Sequence, residues 1–220
     1  MKVNTVTSKE KLVRTAYILA IVTIIYNIAE GLVSVIFGID DEALALLGFG
    51  IDSFVEVMSG FGILHMIIRM KRAGINNITS RDKFEKHALR ITGIAFYILA
   101  AGLVVGSVVN FFSGTKPETT IIGIVISVIS ILTMYILMTW KLRIGKKLHS
   151  DAIIADANCT KTCFYLSFIL LGSSVLYELF GIGWFDIAGS LGIAWFAFSE
   201  GKEAFEKAIS ENFSCTCDAD

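Results

Sequence analysis

The sequence predicts an all-α membrane protein of six transmembrane helices with both termini cytoplasmic. Three observations predict it. Of the 220 residues, 55% are hydrophobic and only 18% charged, and the mean hydropathy is +0.70; a soluble domain carries about a quarter charged residues. The apolar residues gather into six runs, each near the roughly 20 residues that a helix needs to cross hydrocarbon. Lysine and arginine collect in alternate connections. The lipid bilayer is therefore an expected partner, and nucleic acid is not.

The runs are Leu12 to Phe37, Ala43 to Met70, Leu89 to Phe112, Thr120 to Trp140, Ile153 to Leu176 and Ile182 to Ala204. The first is too long for a signal-peptide core and contains Asn27 and Glu30, so it reads as a span. Asp40, Asp41 and Glu42 link it to the second. Lys71 to Lys86 joins the second to the third, and Ser113 to Glu118, with Gly114 and Pro117, is a turn before the fourth. The runs are too long and continuous for barrel strands, which leaves helices to satisfy the backbone in lipid. Residues 1–11 form a cytoplasmic N-terminal segment, 12–209 a six-helix transmembrane domain, and 210–220 a short cytoplasmic Cys/Asp tail.

Basic residues fix the orientation. Lys2, Lys9, Lys11 and Arg14 precede the first span; Arg69, Lys71, Arg72, Arg81, Lys83, Lys86 and Arg90 surround the second link; Lys141, Arg143, Lys146 and Lys147 occupy the fourth; Lys202 and Lys207 lie at the C-terminal end. Six spans put all of these on one side and only Lys116 on the other, so this side is cytoplasmic. Small residues in the second and third spans, such as Gly50, Gly60, Gly102 and Gly106, read as close helix packing.

Ionisable residues inside a membrane are costly and are functional candidates by default. Asp52 and Glu56 stand four apart in the second span, on one helix face. Cys159 and Cys163 do the same in the fifth. At about 1.5 Å of rise per residue, the carboxylates lie roughly 14 and 20 Å from the outer end of their span, and the thiols roughly 15 and 21 Å from the inner end of theirs. In a core about 30 Å thick, all four sit in the middle third. Two carboxylates and two thiols at one depth suit tetrahedral Zn²⁺. Thiolates favour softer ions such as Cd²⁺ over Mg²⁺ or Ca²⁺. The bland alternative makes the cysteines small buried hydrophobes and leaves the carboxylates paired with a cation or protonated.

These residues resemble the cation diffusion facilitator family of metal/proton antiporters. The second span, Ile51-Asp-Ser-Phe-Val-Glu-Val, is similar to that family's acidic pair, and Ser150-Asp-Ala-Ile-Ile-Ala-Asp156 is similar to the lead-in of its fifth span. Trp184-Phe-Asp-Ile-Ala-Gly, with Asp186, resembles its sixth. The resemblance implies a metal site of Asp52, Glu56, Cys159 and Cys163, with Cys in place of the family's His and Asp. The family's Gly- and His-containing inner loop is missing from Ser80-Arg-Asp-Lys-Phe-Glu-Lys-His-Ala, where Asp82 and His87 are a weak second site. The chain ends soon after the sixth span, without the family's C-terminal domain, so a homodimer would rest on membrane helices.

The remaining polar residues read more plainly. Lys161 is placed on the face opposite the cysteines, with Glu30 or another acidic group as its expected ion-pair partner. Asp151 and Asp156 attract cations at the inner mouth or cap a helix. Asn27 hydrogen-bonds between helices. His65 and His149 have no role. Cys215 and Cys217 in the tail either capture a soft ion or belong to a disordered end.

The expected function is proton-coupled efflux of a divalent metal, Zn²⁺ first, by alternating access in the cell membrane. The metal is a substrate, and no cofactor is expected. Two other readings stay open: a membrane thiol oxidoreductase using Cys159 and Cys163, and a metal-sensing protein that moves nothing.

Overall fold

The structure is a computed structural model. It describes residues 2–73, 82–118 and 120–210, without the side chains of 2–9, 73, 151, 152 and 155. The described residues form a bundle of six helices: α1 (Lys2–Asp40), α2 (Leu44–Ala73), α3 (Lys83–Ser113), α4 (Ile121–Leu148), α5 (Asp151–Phe180) and α6 (Trp184–Ile209). The first five are each long and apolar enough to cross a bilayer. α6 is apolar in its first turns and carries Glu200, Lys202, Glu203, Glu206 and Lys207 in its last. The helices outrun the apolar stretches. α1 already begins at Lys2, and α4 continues past Trp140 to Leu148, because hydropathy marks what lipid covers and not where backbone hydrogen bonding stops.

The ends are set by local chemistry. Gly114 (φ 70°) stops α3 and Gly181 (φ 64°) stops α5, both in the left-handed region that glycine enters without a Cβ penalty. Asp82 caps α3 in a reciprocal box with Glu85. The start of α2 is capped from a distance: buried Asp186 of α6 accepts from Leu44 N and Ala45 N, both at 3.0 Å. The Asp186 that sequence likeness singles out is thus a tertiary cap that locks α6 to α2.

α1 packs along α2, α4 along α5 and α3 along α6, and α2 also touches α3, α5 and α6, which makes it the central helix. α1 and α2 approach closely at Gly50, where a Cβ would lie 2.8 Å from Val35 N. Gly102 faces open space and packs on nothing. Large apolar side chains such as Ile98, Val105, Phe112, Leu132 and Trp195 point outward, as suits a protein solvated by lipid.

Two apolar cores fill the bundle. One joins α1, α2, α4 and α5 through Val13, Leu19, Ile67, Met134, Leu137 and Ile153, toward the end rich in Lys and Arg (the basic end). The other joins α2, α3, α5 and α6 through Phe49, Leu99, Leu103, Leu170 and Ile193, toward the opposite end. The buried Asn27, Glu30, Asp52, Ser53, Ser127, Ser130 and Ser167 lie inside the apolar stretches of α1, α2, α4 and α5. A polar belt therefore crosses the middle of the bundle.

Candidate metal centre

The belt is built from helical spacing. Asn27, Glu30 and Ser34 follow one another at i, i+3 and i+7, so α1 turns one buried polar face inward. It meets the face of α2 that bears Asp52, Ser53 and Glu56. α5 adds Cys163 and Ser167 from the other side, and α4 adds Ser130, which accepts from Ser167 Oγ at 2.9 Å.

Glu56 is the hub. Asn27 Nδ2 donates to its Oε2 at 2.9 Å, and the Cys163 thiol donates to its Oε1. One carboxylate thus links α1, α2 and α5. Beside it, Glu30 accepts from Tyr26 Oη at 2.8 Å and from Ser53 Oγ at 3.1 Å. Asp52 is 2% exposed, and its Oδ1 has no hydrogen-bond partner; Asn27 is 1% exposed, and its Oδ1 also has none. An orphaned buried acceptor costs about 1–3 kcal/mol, so this chamber is held in an unsatisfied state. Among the described residues, no Lys, Arg or His pairs with Asp52, Glu56 or Glu30.

The four residues expected to form the site do not all meet in this conformation. Glu56 and Cys163 touch, and Asp52 lies one turn from Glu56 on α2. Cys159 faces elsewhere: Lys207 Nζ of α6 lies 3.6 Å from its sulfur and pairs with Glu203 Oε1 at 2.6 Å. Cys159, Thr162, Glu200, Glu203 and Lys207 line a cavity of about 210 Å³ between α5 and α6. There Thr162 Oγ1 donates to Glu200 Oε1 at 2.8 Å. No three of the four bring ligand atoms within 4.8 Å of one another. Both thiols are free.

Several sequence readings change in detail. Glu30 does not pair with Lys161, which lies over the Tyr165 ring, 5.6 Å from its centroid, and lines the same cavity as Cys159. The buried lysine is Lys141, which the sequence places in a link. Because α4 runs on to Leu148, Lys141 lies inside the bundle, where Nζ donates to Asp156 Oδ1 at 2.9 Å and to Thr160 Oγ1 at 3.0 Å. Asp156 is thereby an internal counter-ion and not a surface attractor. Asn27 does hydrogen-bond between helices, as expected. His149 ends α4 in the left-handed region.

The Asp82–His87 pair does not form. His87 Nδ1 lies 2.7 Å from its own helix's Lys83 carbonyl. Asp82 instead gathers with His65 and Glu85, the only set of three such side chains among the described residues whose ligand atoms lie within 4.8 Å. Arg69 fills that set, with Nη1 2.7 Å from Glu85 Oε1 and Nε 3.6 Å from Asp82 Oδ2. The tail cysteines, Cys215 and Cys217, lie outside the described residues.

The opposite end carries acidic groups. Outside the spans, burial and then the charges of Asp40, Glu118 and Glu178 raise the Asp41 carboxyl above its ordinary range. The Glu178 carboxylate accepts from Thr120 Oγ1 at 3.2 Å and so ties the start of α4 to the end of α5.

A comparison with protein-family models matches residues 16–211 to the cation efflux transmembrane domain. The match runs from Ala16, about one turn into the apolar stretch of α1, past the end of α6. A search of curated proteins returns no match.

Proposed function

The chain belongs to the cation efflux family, a family of metal-cation transporters, and we propose that it carries a divalent transition metal out of the cytoplasm in exchange for protons. Zn²⁺ is the first candidate cargo and Cd²⁺ the second. The observation that carries this reading is the contact of the Cys163 thiol with Glu56 in the mid-depth belt, with no fixed cation paired to either α2 carboxylate. A carboxylate and a sulfur held together at that depth suit a borderline-soft ion. Asp52, Glu56 and Cys163 hold the ion, and Cys159 lies one turn nearer the basic end, toward the side from which the ion enters.

The proton that Cys163 offers to Glu56 occupies the place of the ion. Metal binding needs the ligands deprotonated, so the ion expels protons and protons expel the ion. Alternating exposure of the belt to the two sides then makes an antiporter. The sign is definite: affinity falls as pH falls, because protonated ligands are lost to the metal. The two cysteines answer to different neighbours, Glu56 and Lys207, which supports a cation path over a dithiol redox centre.

Reconstituted protein in liposomes with an imposed pH gradient tests this. Zn²⁺ and Cd²⁺ should move against the proton flow, and Asp52→Ala should stop them. A folded wild-type protein that moves neither ion under any gradient would sink the proposal and favour a sensor.

A further inference from the structure

We propose that Asn27 of α1 is itself a cation ligand, which completes the site of Asp52, Glu56 and Cys163, while Cys159 stays outside the bound ion's first coordination sphere. This rests on the reading of the belt as the cargo site and adds to it a residue from a third helix.

Three observations carry it. Asn27 is almost fully buried and already touches the hub, with Nδ2 2.9 Å from Glu56 Oε2. Its amide oxygen is a buried acceptor without a partner, as are Asp52 Oδ1 on α2 and Ser34 Oγ on the same face of α1. A cation bound at Glu56 would satisfy the Asn27 and Asp52 oxygens together. Cys159, by contrast, is engaged by Lys207, and to reach the ion its sulfur would have to leave that ammonium.

With no ion, the amide N–H₂ serves as a donor to the carboxylate. With an ion on Glu56, a half-turn about the terminal torsion exchanges N–H₂ for the carbonyl oxygen, a two-fold rotation that amide side chains make easily. Asn27 is then a donor in one state and a ligand in the other.

Charge supports the same set. Asp52, Glu56 and one thiolate around a divalent ion leave one excess negative charge, and a second thiolate would leave two. Uncompensated charge at mid-depth is costly, so a neutral fourth ligand is favoured over a second thiolate.

The test uses the purified full chain with Cys215 and Cys217 changed to serine, so that only the two α5 thiols remain. Cd²⁺ is titrated while its thiolate charge-transfer absorption, which counts bound sulfurs, is followed beside equilibrium dialysis with Zn²⁺ and Cd²⁺. We expect Cys163→Ser to abolish the absorption and Cys159→Ser to leave the signal per bound Cd²⁺ unchanged. Asn27→Leu should weaken both ions by about ten- to a hundredfold.

Asn27→Asp separates the roles, because aspartate keeps an oxygen ligand but cannot donate to Glu56. Retained or tighter binding marks a ligand, and loss equal to that of Asn27→Leu marks a mere positioner and overturns the proposal. Halved absorption in Cys159→Ser overturns it as well, and this arm does not depend on how the Asn27 variants fold. If Glu56→Ala loses binding while both Asn27 variants keep it, the cargo site stands and only this inference falls. If the wild type binds neither ion, both fall together.

Discussion

Two clusters of ligand-type side chains differ in one respect. At the basic end, His65, Asp82 and Glu85 lie within 4.8 Å of one another, as a metal site would. Arg69 already fills that space, and Asp82 and Glu85 also cap α3. In the belt, the ligands are looser, yet Asp52 and Asn27 each keep a buried oxygen with no partner. In the first cluster Arg69 pairs both carboxylates, although His65 Nδ1 has no hydrogen-bond partner; in the belt the unpaired atoms are acceptor oxygens with no cation beside them. Unmet demand in a buried site is the stronger sign of a cation site, because a stable fold pairs its buried polar groups unless something else is meant to pair them.

The comparison yields a rule that mutation can break. Changes in the unsatisfied cluster should strike transport and spare stability; changes in satisfied clusters should do the reverse. The largest effect is expected at the hub. Glu56→Gln should lower metal flux by about a hundredfold, while Glu85→Gln should leave it within about twofold. Equal losses in the two variants would end the distinction.

Next comes the buried pair of α4 and α5. Asp156→Ala strands Lys141 without its counter-ion and should cost about 3–5 kcal/mol in an unfolding titration. The double change Lys141→Met with Asp156→Leu should recover most of it. A single variant as stable as the wild type would show that Lys141 escapes to water.

A smaller loss is expected at the remote cap, where Asp186→Ala should cost about 1–2 kcal/mol and leave metal affinity unchanged. Asp52→Asn, on the unsatisfied side, should lose flux with no fall in melting temperature. The smallest effect sharpens the comparison from the other direction. Arg69→Ala vacates the His65, Asp82 and Glu85 set, so one extra weak Zn²⁺ should appear in equilibrium dialysis. No extra ion would mean that three close ligands at this surface are not enough.

Much of this was legible along the chain. Five of the six helices follow from apolar length alone, the sixth from its apolar first turns together with the even span count that the basic residues require, and the carboxylate and thiol pairs follow from i, i+4 spacing. Asn27 was readable as an interhelical donor, and its shared spacing with Glu30 and Ser34 marks the face it serves. Lys141 was not readable, because it stands at the polar end of its apolar run and only the continued helix buries it. Arg69 and Lys207 look like ordinary basic-end charges until their partners from other elements are known.

The sequence by itself determined the helices, their number and which residues share a face, since hydropathy and helical periodicity are local properties of one strand of chain. Only the tertiary structure decided which faces meet and at what height. Residues four apart differ by about 6 Å along a helix, so the offset between α2, α5 and α6 selects Cys163 for Glu56 and leaves Cys159 to Lys207. That offset is fixed by contacts distant in sequence: the close approach of α1 and α2 at Gly50, and the Asp186 carboxylate on the first turn of α2.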